Sequence, residues 1–136
     1  MMKLSIGCPM FHRLLISASL VFWATIAPFA SAAELVMVEQ QGCAYCREWH
    51  KVIGPIYAKT PEGAFAPLRV IDIDDPVPAD LRFARKAVYT PTFILVEDGV
   101  ELGRIQGYPG EDFFWGLLDM LLQDKTDYVA NAPTNG

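Results

Sequence analysis

The chain has 136 residues, of which 52% are hydrophobic and 20% charged, and its formal net charge is −5. An acidic chain gives no support to the binding of nucleic acid or of an anionic membrane surface. Three cysteines are too few for a fold in which several disulfides replace a hydrophobic core.

Residues 1–33 are predicted to be a signal peptide, which would direct the protein to the periplasm. Basic residues precede an apolar stretch at 14–27, and the small residues at 30–33 form a cleavage site of the A-x-A kind. An uncleaved membrane anchor is the alternative, since the segment offers 20 mostly apolar residues. Pro28 and the small-residue end favour cleavage, and Cys8 would leave with the peptide.

The remaining 103 residues are enough for one small domain with one core. They carry nine basic residues and 16 acidic ones, a net charge of −7, because Lys3 and Arg13 leave with the signal peptide. We expect the domain to span 34–122 and to be a monomer. Residues 123–136 are polar and aperiodic, which predicts a flexible tail.

The first half of the domain predicts a strand, a helix and a second strand. Residues 35–39 form an apolar run of the kind that is buried on both faces of a sheet. A helix that begins at Cys43 carries an apolar stripe at spacings of three and four, and the Gly-Pro pair at 54–55 is expected to break it. A turn at 60–63 leads into a second strand at 68–73.

The second half predicts a short helix at 78–86, a hairpin and a last helix. The hairpin joins strands at 93–96 and 100–105 through a turn that contains Gly99. The last helix, at 111–122, has a broad apolar face. The element order is therefore β-α-β-α-β-β-α, and a right-handed crossover makes the first two strands parallel. This order predicts an α/β fold in which a four-stranded mixed sheet has helices on both faces.

Cys43 and Cys46 form a C-x-x-C motif at the junction between the first strand and the first helix, a usual place for a redox-active dithiol. The N-terminus of a helix stabilises a thiolate, which is the nucleophile, so Cys43 is assigned as the attacking thiol. Cys46, one turn further on, is assigned as the resolving thiol. The alternative is a disulfide that only braces the fold, but closing so short a loop contributes on the order of 2 kcal/mol or less.

The element order and the C-x-x-C motif, followed about 45 residues later by Thr90-Pro91-Thr92, resemble the thioredoxin superfamily. The resemblance covers about residues 35–122 and implies a minimal thioredoxin-like fold. It also implies a thiol–disulfide oxidoreductase that needs no metal or organic cofactor, because the disulfide is itself the redox group.

The family also places its substrate groove. The proline in this position is cis and faces the dithiol, so Pro91 inherits that expectation. The groove lies between the dithiol, the proline loop and the glycine ahead of the last helix, which is Gly107 in this chain.

A closer resemblance is to the exported SoxS-type thioredoxin-like proteins of bacterial sulfur-oxidation loci, on the stretches 43–49, 54–60 and 66–69. It implies a periplasmic reductant for a sulfur-carrier or sulfur-oxidising partner. Two departures from thioredoxin itself bear on the chemistry. An Ala-Tyr pair separates the cysteines where thioredoxin has Gly-Pro, and Met37 stands where thioredoxin has a buried acid. The reduction potential and the acceptor of the proton from the resolving thiol therefore stay open.

The other candidate residues each have a structural alternative. Thr90 and Pro91 would present backbone groups to an extended substrate segment, although Thr90 also fits a simple turn. Tyr45 would pack beside the sulfurs, or is an exposed aromatic residue of the loop. The candidate proton relays are Glu39, Glu48 and His50, although two surface acids and a hydrogen-bonded histidine are the favoured explanation.

The sequence thus predicts an exported reductase of periplasmic protein disulfides that takes electrons from a membrane thiol donor. One alternative is a Cu(I) or Zn(II) chaperone that uses Cys43, Cys46 and His50, although the mature chain has no further Cys or His to complete a closed zinc site. Another is a redox-sensing regulator, which would use the same exchange step. A basic cluster at 82–86 would steer an acidic partner, or is a solvated surface.

Overall fold

The structure, a computed structural model, describes residues 32–130. Nearly all of the predicted signal peptide and the end of the predicted tail lie outside these residues, so the division into leader, domain and tail stays a prediction. Within residues 32–130, no helix is long and apolar enough to cross a membrane. The elements are β1 (Ala33–Glu39), α1 (Ala44–Val52), α2 (Gly54–Tyr57), α3 (Pro61–Phe65), β2 (Leu68–Asp72), β3 (Thr92–Glu97), β4 (Val100–Gln106) and α4 (Glu111–Lys125).

The strands form one mixed sheet in the order β2-β1-β3-β4, which confirms the predicted four-stranded sheet. β1 pairs in parallel with β2 and antiparallel with β3, and β3 pairs antiparallel with β4. β1 is central, and its consecutive residues 35–38 are buried. Since alternate side chains of a strand point to opposite sides, both faces of the strand are covered. Leu35 and Met37 face one core cluster, and Val36 and Val38 face another.

The larger cluster lies on the face that carries the helices. Trp49 of α1 is fully buried there, and its ring packs against those of Phe93 and Phe114 at centroid distances of 5.4 and 5.7 Å. α4 adds Leu118 and Leu122, which are also fully buried. Burial of each such side chain contributes about 1.5–3 kcal/mol, so this cluster holds α1, and the dithiol at its start, against the sheet.

The second face carries no helix within residues 32–130, and the predicted helix at 78–86 is wrong. The segment instead runs beside the start of β4. The Arg82 N–H donates to the Gly99 carbonyl (2.7 Å), and the Arg82 carbonyl accepts from the Glu101 N–H (3.0 Å). Leu81 and Phe83 turn towards the sheet with Arg82 exposed between them, which is the period of a strand. The backbone groups that a helix would use internally are bound to the hairpin.

A buried ion pair holds this segment in place. The guanidinium of Arg104 donates from Nε and Nη2 to the Glu101 carboxylate, each at 2.6 Å, and both side chains are about 5% exposed. Glu101 Oε2 accepts the Ala84 N–H at 2.7 Å, and Arg104 Nη2 also donates to the Arg85 carbonyl at 2.8 Å. Burial raises the pKa of Glu101, but hydrogen bonds from Arg104 and Ala84 outweigh burial and lower it.

Of three further element boundaries, one agrees with the prediction and two differ from it. The helix break at 54–55 is confirmed, since α1 ends at Val52 and α2 begins at Gly54. The predicted turn at 60–63 is the start of α3, because the Thr60 hydroxyl accepts the Gly63 N–H and caps a helix whose first residue is proline.

The last helix ends three residues later than predicted, at Lys125. The chain beyond it is packed as far as Tyr128, whose ring lies against Phe65 and whose hydroxyl donates to Glu62 at 3.1 Å. The prediction of a flexible tail from residue 123 rested on polar composition and did not take account of the packing of Tyr128.

Candidate active site

Cys43 and Cys46 form a disulfide at the N-terminus of α1. A turn at Gln41 and Gly42, with Gly42 at a φ of +84°, brings the chain from β1 to the helix. Cys43 is the N-cap, and its Sγ accepts the Cys46 N–H at 3.1 Å. An N–H directed at sulfur and the positive end of the helix dipole both favour a thiolate at Cys43.

The two sulfur-bearing residues differ in their accessibility. Cys46 is 3% exposed and belongs to the core cluster of α1 and α4, whereas Cys43 is partly exposed and lies at its edge. An incoming molecule therefore meets Cys43 first.

The loop before β3 lies at the same end of the sheet. The Thr90–Pro91 peptide bond is cis. The Gly107 N–H donates to the Pro91 carbonyl at 2.7 Å, and the Thr92 hydroxyl donates to the Tyr89 carbonyl at 2.8 Å. These bonds join the proline loop to the end of β4. The backbone of Thr90 makes no hydrogen bond to any other residue in the part of the chain that the structure describes.

A groove of about 860 Å³ runs beside this loop. It brings together Tyr45, Glu48, Thr90 and Gly107 among the predicted residues, whereas Pro91 is buried and neither cysteine lines the groove. Its other lining residues, which the sequence prediction missed, are Tyr89, Gln106, Tyr108, Pro109 and Gly110.

Tyrosines form much of the groove wall. Tyr45 and Tyr89 are both about 65% exposed, and Tyr108 is buried at the base. Burial raises the pKa of the Tyr108 phenol, and the charges of Glu111 and Glu48 raise it further. Tyr89 has a signal in the sequence, because it directly precedes the Thr-Pro pair. Tyr108 is brought to the groove by the end of β4.

The three candidate proton relays are divided between two sites. His50 Nε2 lies 2.6 Å from Glu39 Oε2, which joins α1 to the end of β1. Glu48 lines the groove, on the other side of α1, because residues two apart on a helix lie about 200° apart around it. Met37 is fully buried in the core.

The geometry gives no support to the alternative of a metal site at Cys43, Cys46 and His50. Within residues 32–130, no three side chains among His, Cys, Asp and Glu are grouped so as to hold a metal ion. His50 is engaged with Glu39 rather than directed at the cysteines.

The chain is similar to proteins of known family and structure. A family model described as a thioredoxin-like domain matches residues 30–121. The reduced form of the periplasmic thioredoxin SoxS from Paracoccus pantotrophus is 47% identical, over 67% of this chain and 96% of that chain, with a TM-score of 0.66. A thioredoxin-fold protein from Helicobacter pylori is 19% identical over 70% of each chain, with a TM-score of 0.50, and shows a likeness of fold alone. No curated protein sequence matches.

Proposed function

Since the chain belongs to the thioredoxin-like family, as its motifs predicted, and is a thiol–disulfide oxidoreductase, we propose that it is exported and reduces protein disulfides in the periplasm. The observation that carries the proposal is the pair of cysteines at the start of α1, with Cys43 at the surface and Cys46 buried behind it. The signal-peptide pattern of residues 1–33 and the periplasmic relative support the location.

The exchange proceeds in two displacements. In the reduced protein the Cys43 thiolate attacks one sulfur of a substrate disulfide, forms a mixed disulfide with it and releases the other sulfur as a thiolate. Cys46 then loses its proton and attacks Cys43 Sγ, which releases the second substrate thiolate. Two electrons pass to the substrate, and the Cys43–Cys46 disulfide that the structure contains is the product form.

We assign the groove to an extended segment of the substrate protein. Thr90 lies in its wall with its backbone N–H and carbonyl unused by the described residues, so that both are available to a strand laid beside the loop. Pro91 fixes the loop, and its carbonyl is already bound by Gly107. The exposed ring of Tyr45 would lie along the segment next to the attacked sulfur.

The electron donor is proposed to be a membrane thiol protein. The periplasm has no dissolved thiol buffer that sets its redox state, so a soluble reductase there needs a protein donor. The likeness to a SoxS thioredoxin supports a partner from sulfur oxidation as the substrate.

Location and activity need separate experiments. Cells that express the full chain are fractionated, and we expect the periplasmic fraction to hold a protein shortened by its first 32 or 33 residues. A full-length protein in the membrane fraction would contradict cleavage.

Activity is measured as thiol release from a disulfide-bonded protein by the reduced enzyme, with the variant that lacks both cysteines as the control. Equilibration against a redox buffer then determines the potential. A potential as reducing as that of cytosolic thioredoxins supports a reductase, and one near −120 mV, the value of a strong periplasmic oxidant, would contradict it.

A further inference from the structure

The face of the sheet that lacks a helix carries a second hollow, separate from the groove. Its volume is about 760 Å³, and its apolar lining comes from the ends of β1 and β2, from the loop after β2 and from the segment that replaces the predicted helix. Its apolar walls include Val38, Ile71, Ile73, Val77, Phe83 and Ala87. Several of these are only partly buried, so the hollow exposes apolar surface.

Positive charge is concentrated on one rim of this hollow. Arg82, Arg85 and Lys86 line it, and they are three of the nine basic residues in residues 32–130. Unlike Arg69 and Arg104, none of the three forms an ion pair within the described residues, although the charge of Arg85 helps to lower the pKa of Glu101. On a domain with an acidic balance, such a cluster presents a local positive potential.

The opposite rim of the hollow is acidic, and exposed apolar side chains lie beyond the basic rim. Asp72 and Asp75 lie on the β2 side, so the two rims carry opposite charge. Beyond the basic rim, Val88 and Tyr89 are both 64% exposed, and Tyr89 also lines the groove beside the dithiol. A partner that enters the groove thus passes close to the hollow.

We propose that this hollow binds an amphipathic segment of a partner protein, with an apolar face on the floor and carboxylates against Arg82, Arg85 and Lys86. The apolar floor supplies most of the affinity, because single exposed ion pairs contribute little. The basic rim determines orientation, since an acidic partner is repelled by the acidic residues of the domain and attracted to this cluster. The Glu101–Arg104 pair keeps the rim in place by holding the backbone at Ala84 and Arg85.

The test uses isotope-labelled protein, purified from cells that express the full chain, and two synthetic peptide probes. The glutamate peptide is a short amphipathic helix with leucine on one face and glutamate on the other. The lysine peptide has lysine in place of every glutamate. We expect the glutamate peptide to shift the amide resonances of Ile71, Ile73, Phe83 and Ala87 saturably, with binding weakened by added salt. The lysine peptide should bind several-fold more weakly.

Two variants and a control separate charge from shape. Arg85→Ser combined with Lys86→Ser should weaken the glutamate peptide several-fold, and Val77→Glu should weaken it by placing a carboxylate at the exposed mouth of the hollow. The control, Lys51→Ser combined with Lys59→Ser, removes the same charge from exposed positions outside the hollow and should leave binding unchanged.

Four results would overturn the proposal. These are equal binding of both peptides, shifts confined to the groove residues, no shifts at all, or shifts that depend on protein concentration without peptide, which would mean that a second copy occupies the hollow. Because the readout does not involve the cysteines, each of these results leaves the reductase proposal standing.

Discussion

At the scale of single residues, the two cysteines have different surroundings although they lie in one turn of helix. Cys43 is the N-cap that receives the Cys46 N–H, and Cys46 is part of the core. The difference supports the proposal that the first cysteine attacks and the second resolves the mixed disulfide.

Replacing each cysteine tests this assignment. Cys46→Ser should accumulate stable mixed disulfides with partner proteins, because nothing remains to displace them from Cys43. Cys43→Ser should accumulate few, since the remaining thiol is buried. The complexes are counted on non-reducing gels after acid quenching. Equal trapping by the two variants would show that the roles are not divided in this way.

His50 offers a second test at this scale. Its side chain is 42% exposed and pairs with Glu39 at 2.6 Å, an arrangement that explains the histidine as a link between α1 and β1. We therefore expect His50→Gln to cost less than about 1 kcal/mol of unfolding free energy, as exposed pairs do, and to leave the resolution rate unchanged.

The measurement is stopped-flow reduction of a disulfide substrate between about pH 5 and 8, the range in which a histidine relay would change the rate. Glu39→Gln is the matched control for the lost pair. A rate that falls in His50→Gln and not in Glu39→Gln would make His50 a relay for the Cys46 proton.

At the scale of elements, the segment 81–86 is held by side chains from β4 in place of helical hydrogen bonds. Glu101 accepts the Ala84 N–H, and Arg104 donates to the Arg85 carbonyl. The carboxylate and the guanidinium also neutralise each other's charge. Removing one member of a buried pair leaves the other charge uncompensated, which is why the pair is expected to matter for stability.

Glu101→Ala should lower the unfolding free energy by about 3–5 kcal/mol, the usual cost of breaking a buried ion pair. Amide exchange at Arg82 and Ala84 should accelerate, because their segment loses its anchor. Asp80→Asn is the matched control: it breaks the exposed Arg69–Asp80 bridge and should change stability little. Similar losses in both variants would show that the buried pair does not anchor the segment.

The same pair predicts a dependence on pH. The folded protein holds the pKa of Glu101 below its ordinary value, so the carboxylate contributes stability above about pH 4.3 and loses it as the pH falls through the folded pKa. Wild type should therefore lose more of its melting temperature on acidification below that value than Glu101→Gln does. An equal fall in the melting temperature of both proteins would mean that other carboxylates cause the loss of stability at acidic pH.

At the scale of the whole molecule, folding and redox state are linked through the Cys43–Cys46 disulfide. If the reduction potential of the dithiol is more negative in the folded protein than in the unfolded chain, the disulfide stabilises the folded state. The stabilisation is about 1.4 kcal/mol for each 30 mV of difference. The proposed reductase should accordingly melt at a higher temperature when oxidised than when reduced. The variant without cysteines, in both buffers, controls for the effect of the reductant. A more stable reduced form would identify an oxidant instead.

Features that depend on neighbours along the chain could be predicted from the sequence. The C-x-x-C motif lies at a strand–helix junction because an apolar run precedes it and an apolar stripe follows it, and the Gly-Pro pair ends α1 because proline supplies no N–H. The family resemblance and the mixed sheet, both confirmed, rest on such local signals in the right order.

Tertiary structure alone decided the features that join distant segments. Residues 81–86 do not form the predicted helix, because the later hairpin provides hydrogen-bond partners for their backbone groups. The hydrophobic pattern along the chain carries no information about these distant partners. The pairing of Glu39 with His50, the tyrosine walls of the groove and the hollow on the second face are likewise products of packing. Local propensity is worth tenths of a kcal/mol per residue, and tertiary contacts of several kcal/mol override it.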